Sequence, residues 1–156
     1  MVCEPTVYVP QATPCGFAQI HELQILNRLY TSKLQDSSQS GNSSVVFIHR
    51  SGLRKFRQNR EIEGTVSRAA ADFGLPFIVF RDDPSPSMEE SMEIFFNAAL
   101  VVAPHGAGLS NVVYCKPGTY VIEGVCNEPH VNMCYQWTSH ILGHRYVSAT
   151  NYLDGC

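Results

Sequence analysis

The chain has 156 residues, 44% of them hydrophobic and 16% charged, which suits one ordinary globular domain with a real core. A net charge of -3 and a pI near 6.0 exclude the broad basic face that nucleic-acid phosphates require. No apolar run approaches the ~18 residues of a membrane span, and Met1-Val2-Cys3-Glu4-Pro5 lacks the basic and apolar regions of a signal peptide.

A short extended piece, Thr6 to Val9, opens the chain and a turn region rich in proline and glycine follows. From Phe17, Ile20, Leu23, Leu26, Leu29 and Tyr30 recur at three- and four-residue intervals, predicting an amphipathic packing helix that ends near Leu34. Asp36 to Ser44 is polar and serine-rich and reads as a surface loop, within which Asn42-Ser43-Ser44 is an acceptor sequon for N-glycosylation. Residues 1–44 thus form an amino-terminal helix and loop ahead of an α/β core at 45–149.

In that core, strand and helix patterns alternate. Val45 to Ile48 is a buried-type strand, and Ile62, Val66, Ala69, Ala70 and Phe73 trace a helix face that stops at Gly74-Leu75-Pro76. Phe77 to Phe80 is the second strand. Ser87-Met88-Glu89-Glu90 is a capping box opening a helix with Met88, Met92, Phe95, Phe96 and Ala99 inward. Leu100 to Ala103, a short helix over Gly106 to Tyr114, and Tyr120 to Glu123 follow; Asn132 to Leu142 forms a helix closed by Gly143, and Tyr146 to Ala149 a last strand. This alternation with near-continuous apolar strands predicts a Rossmann-like parallel sheet with helices on both faces.

Six cysteines stand at 3, 15, 115, 126, 134 and 156, none in a C-x-x-C pair, so the spacing suits scattered disulfides better than a zinc cage. Cys126 with Cys134 is one candidate pairing. Cysteines and sequon together point to a secretory lumen, which, set against the missing signal peptide, implies an incomplete chain. His130, His140 and His144 lack zinc-like grouping, and no metal site is expected.

Ligands of open α/β sheets gather where strands end. After the strand ending at Ala103 comes Pro104-His105-Gly106-Ala107-Gly108-Leu109-Ser110-Asn111, a glycine-bearing turn running into a helix start. Gly106 and Gly108 allow close backbone approach, and free N–H groups at a helix start attract phosphate or diphosphate. Close packing alone would explain the same glycines, and His105 is either a ligand or a buried structural histidine. After the first strand, His49-Arg50-Ser51-Gly52-Leu53-Arg54-Lys55-Phe56-Arg57 is a cationic loop that either neutralises a diphosphate or is a solvated basic turn. Glu123 is a candidate acceptor for ribose hydroxyls or a plain surface glutamate. Asp82-Asp83 would sit near a nucleobase; before Pro84-Ser85-Pro86 they fit a helix-entry turn better than a metal site.

The run His105-Gly106-Ala107-Gly108-Leu109-Ser110-Asn111, followed by Pro117-Gly118 and Tyr120-Val121-Ile122-Glu123, resembles the signature of family-61 glycosyltransferases, best from about Val45 to Ala149. That family includes protein O-GlcNAc and O-mannose-linked GlcNAc transferases of the endoplasmic reticulum and plant xylosyl- and arabinosyltransferases of the Golgi. Arg50, Arg54, Asn59 and Glu61 look like its arginine-containing stretch, with spacing that departs by about one residue.

The resemblance implies an inverting transfer from a UDP-sugar to a protein or glycan hydroxyl. It also implies a two-lobed GT-B fold whose carboxyl-terminal lobe holds the nucleotide. The residues and the resemblance together give the expected donor-binding set as Arg50, Arg54, His105, Gly106, Ala107, Gly108, Asn111 and Glu123, with His105 as a diphosphate stabiliser; no cofactor and no metal are expected. A general base is not identifiable in this chain; in two-lobed transferases it generally comes from the amino-terminal lobe, which is expected to be missing. The expectation is therefore the donor half of a glycosyltransferase, weakly active or inactive alone. The alternatives are a non-catalytic nucleotide- or glycan-binding module, and a hydrolase-like enzyme using His105 as base, which lacks a G-x-S-x-G elbow.

Overall fold

A computed structural model of the protein describes residues 19–35, 44–126 and 132–154. The elements run α1 (Ile20–Gln35), β1 (Ser44–His49), α2 (Asn59–Asp72), β2 (Phe77–Arg81), α3 (Met88–Phe96), β3 (Ala98–Pro104), a 3-10 helix (Ala107–Tyr114), β4 (Tyr120–Val125), α4 (Cys134–Ile141) and β5 (Arg145–Thr150). The five strands form one sheet in the order β2-β1-β3-β4-β5, and every neighbouring pair is parallel. This is the expected Rossmann-like layer. The expected extended piece Thr6 to Val9 lies outside the described residues, as does Asn42 of the sequon.

Residues of the inner strands β1, β3 and β4 are mostly buried on both sides because helices cover both faces. Val46, Ile48, Val101, Ala103 and Val121 pack with Phe95, Leu109 and Val112 on one face, while Phe47 and Val102 meet Phe56, Leu153, Ile62 and Val66 on the α2 face. A bridge between Phe56 and Leu153 ties the loop after β1 to the last described residues. β5 is an edge strand, and its Val147 is 55% exposed.

Local signals act where expected. Ser87 caps α3 by accepting from Glu90 N–H, and the Glu90 carboxylate accepts in return from Ser87 N–H at 2.9 Å. The Ser87 backbone N–H first, and then its hydroxyl, hold the Glu90 carboxyl below its usual range. Gly74 ends α2 at φ +66° and Gly143 follows α4 at +73°, the left-handed backbone that glycine adopts without a Cβ penalty.

Three side-chain expectations are overturned. Phe73 is 81% exposed rather than on the inner face of α2, because it follows the helix as its cap, just before the chain turns at Gly74. Met88 is also exposed, and Ala99 belongs to β3 because the chain leaves α3 at Asn97. Of the expected apolar stripe of α1, Ile20, Leu26 and Leu29 are exposed, while Leu23 and Tyr30 are half-buried. That helix docks through Asn27, whose amide donates to the carbonyls of Val113 (2.6 Å) and Cys115 (3.0 Å) at the end of the 3-10 helix. Tyr30 meets Tyr114 edge to face at 5.0 Å. Helix-terminal carbonyls lack intrahelical donors, and Asn27 supplies them here.

Candidate functional site

In the order β2-β1-β3-β4-β5 the chain passes from β1 outward to β2, then returns to the other side of β1 with β3. The crevice beyond the carboxyl ends of β1 and β3 is therefore the topological switch point, where open α/β sheets hold ligands. β1 ends at His49-Arg50 and β3 at Pro104-His105. Arg50 bridges them: its Nη1 donates to the His105 carbonyl at 2.9 Å.

Gly106 makes that bridge possible. It sits at φ 157°, ψ 178°, a conformation almost confined to glycine. A Cβ there would lie 1.7 Å from Arg50 Nη1. Gly108 serves packing instead: its Cβ would meet Ile48 Cγ2 at 3.0 Å. The Asn111 amide donates to the Gly108 carbonyl at 3.0 Å, and Leu109 N–H to the Gly106 carbonyl at 2.9 Å, so the turn is closed from within. The helix it opens is 3-10, with Ala107 exposed at its first position.

The His105 side chain is fixed from beneath. Its Nδ1 lies 2.5 Å from Glu123 Oε1, and the Tyr146 hydroxyl donates to Glu123 Oε2, also at 2.5 Å. His105 N–H donates to the Gly124 carbonyl at 2.7 Å. Glu123 is 0% exposed. The contact commits the Nδ1 edge of the ring to the buried carboxyl group. The reading of Glu123 as a ribose acceptor is thereby corrected: both oxygens are engaged and the group does not reach the surface. Burial first, and then the Glu123 carboxylate, push the Tyr146 hydroxyl well up, so it remains a donor. Tyr135 of α4 sets its ring 5.4 Å from that of His105.

Beside this core lies an open cleft of about 510 Å³, lined among others by Arg50, Lys55, Arg57, Asn59, Arg60 and Glu61. A sequence comparison matches residues 1–122 to the family described as Glycosyltransferase 61. The chain belongs to glycosyltransferase family 61. No curated protein sequence matches it. The match reaches the first residue and ends at Ile122, whereas the motif-level resemblance reads best from Val45 to Ala149; Glu123 and Tyr146 thus lie past the matched stretch.

The remaining expected residues of the family-61 chain divide. Arg50 reaches the switch point, whereas Arg54, at φ 59°, is not among the residues lining the cleft. Arg57 is tied to the Leu153 carbonyl at 2.9 Å and lies 3.5 Å from Asp154. Asp82 accepts from Ser51 N–H (3.3 Å) and Ser51 Oγ (3.2 Å) and sits 3.9 Å from Arg50 Nε, so it braces the loop after β1. The Asn59 amide lies 3.1 Å from His49 Nδ1, which also contacts Glu63 Oε2 at 3.1 Å.

Sequence reasoning missed Tyr146, Glu63 and Tyr135. Only Tyr146 left a trace, as the first residue of the last expected strand.

Among the described residues no group of three His, Cys, Asp or Glu could hold a metal ion, and no helix is long and apolar enough to cross a membrane. His140 stacks on Trp137 with centroids 6.2 Å apart. His144 is buried, and desolvation lowers its imidazole to about 4 while the Cys115 backbone opposes only in part. The expected Cys126–Cys134 pairing is not formed: Cys126 is disulfide-bonded, while Cys134 keeps its thiol. Cys115 is a fully buried thiol that desolvation pushes well up, which makes it inert packing.

Proposed function

We propose that this chain supplies the donor-binding half of a glycosyltransferase that moves a sugar from a UDP-sugar to a protein or glycan hydroxyl with inversion. The observation that carries the reading is the Arg50 bridge to the His105 carbonyl across the β1/β3 switch point, over a Gly106 that leaves room for it. A guanidinium so placed meets phosphate oxygens as a charge-assisted donor. The Gly106–Gly108 turn lets the diphosphate approach the backbone, and Lys55 and Arg60 add positive charge along the cleft. With Nδ1–H committed to Glu123, a second proton on His105 Nε2 would make the ring a cationic donor to the same phosphates.

In the transfer, the acceptor oxygen bonds to the anomeric carbon as the bond from that carbon to the diphosphate oxygen breaks. The acceptor proton passes to a base, and negative charge builds on the leaving diphosphate. Arg50 and His105 act on that charge, where preorganised donors contribute most. Family membership removes the hydrolase alternative. A secretory lumen suits both the Cys126 disulfide and the general habit of the family.

Calorimetric titration with UDP, UMP and uridine, alongside His105→Ala, tests the reading. UDP binding at least tenfold tighter than uridine binding, and weakened in the variant, is expected. Equal affinities for UDP and uridine would refute a diphosphate site.

A further inference from the structure

His105 belongs to the proposed donor site, yet what holds it lies beyond the family-matched stretch, on β4 and β5. Glu123 sits inside β4, paired in register with Ala103 on one side and Ser148 on the other, so its backbone is fixed by two strands. Its side chain is fully buried, and a buried carboxylate persists only when its oxygens find donors. Among the hydrogen bonds described, it has one on each oxygen: His105 Nδ1 on Oε1 and the Tyr146 hydroxyl on Oε2. Tyr146 pairs with Val121 in the β4–β5 register, two residues before Glu123, and packs against the same core as Leu109 and Val112. Its ring is thus fixed by packing and its hydroxyl by strand geometry.

We infer that Tyr146 is a positioning residue of the donor site, holding the Glu123 carboxylate so that Oε1 keeps a His105 proton on Nδ1 and Nε2 turned toward the donor phosphates. Tyr146 acts through two side chains, Glu123 and His105. Among the described hydrogen bonds only the Tyr146 hydroxyl reaches Oε2, so removing it leaves a buried acceptor to rotate or admit water. Either change releases His105 Nδ1, so the ring is held neither at one angle nor in one tautomer, and the carboxylate no longer supports the second ring proton that donation from Nε2 to phosphate requires. The role toward phosphate rests on the donor-site reading; the effect on the tautomer does not.

The test uses the whole chain, isotopically labelled on histidine, as wild type, Tyr146→Phe and Glu123→Gln. Ring nitrogen chemical shifts of His105 are read by long-range proton–nitrogen correlation, and UDP and uridine affinities by calorimetry. With the ring neutral, wild type should show a single Nδ1–H tautomer. Tyr146→Phe, which keeps the ring and its packing, should show a mixture and bind UDP about three- to tenfold more weakly, the scale of one net hydrogen bond, with uridine binding unchanged. Glu123→Gln keeps an acceptor for His105 and should disturb the tautomer less than Tyr146→Phe if its amide can donate to Tyr146. An unchanged His105 spectrum in Tyr146→Phe overturns the inference. Absence of UDP binding in wild type overturns the donor-site reading instead, while the spectra still decide the relay.

Discussion

Replacing Gly106 with alanine should uncouple Arg50 from the site without unfolding the domain. Two costs are separable. The backbone at φ 157°, ψ 178° is held in a region nearly reserved for glycine, which costs an alanine roughly 1–3 kcal/mol. The new Cβ would also stand 1.7 Å from Arg50 Nη1 and 2.8 Å from its Cζ. The guanidinium is the mobile partner, so it swings away and its bond to the His105 carbonyl is lost. A charged-donor hydrogen bond contributes about 1.5 kcal/mol at the lower end of its range, which suits a side chain still partly open to solvent. Chemical denaturation of the wild type, Gly106→Ala, Arg50→Ala and the double variant measures both. Gly106→Ala should cost about 2.5–4.5 kcal/mol with Arg50 present and about 1–3 kcal/mol in the Arg50→Ala background, a coupling near ~1.5 kcal/mol. Equal costs in the two backgrounds would refute the clash and leave Gly106 as a purely conformational requirement.

Arg50→Ala should weaken UDP binding by roughly 1.5–3 kcal/mol while leaving uridine binding unchanged, whereas Arg54→Ala should shift either by less than about 0.5 kcal/mol; calorimetry distinguishes them. His144 gives a pH signature. Its folded value near 4 lies below the ordinary 6.5, so the unfolded chain binds the proton more readily and stability falls as pH drops through this window. The loss should be on the order of 3 kcal/mol between pH ~6.5 and ~4, with none from this group above that range. Urea denaturation across pH should show it, and His144→Leu should flatten that part of the profile.

The order of elements and the turn at His105–Asn111 were legible because they rest on local chemistry. Apolar runs too short for helices, glycines where the chain reverses, and the reciprocal Ser87–Glu90 cap need no distant partner to be read. The cationic loop was legible as charge. Which of its arginines reaches the switch point was not: Arg50 and Arg54 are chemically alike, and only the β1–β3 pairing puts Arg50 against the His105 carbonyl. The errors share a cause. Phe73, Met88 and the apolar stripe of α1 obey helical spacing, but spacing reports a candidate inner face and not the neighbour that covers it. On α1 the inward side is the one that carries Leu23, Asn27 and Tyr30, with Asn27 bonded to two carbonyls and Tyr30 against Tyr114.

By itself, then, the sequence determined the class of fold, the family, the glycine turn and the surplus of positive charge after the first strand, since each follows from residue type and short-range spacing. Tertiary structure alone decided that Glu123 faces inward, that Tyr146 supports it and that His105 and Arg50 meet at one crevice. Those relations join residues 18 to 55 positions apart. Strand order creates them, and strand order depends on which apolar faces find cover, a property of the whole chain.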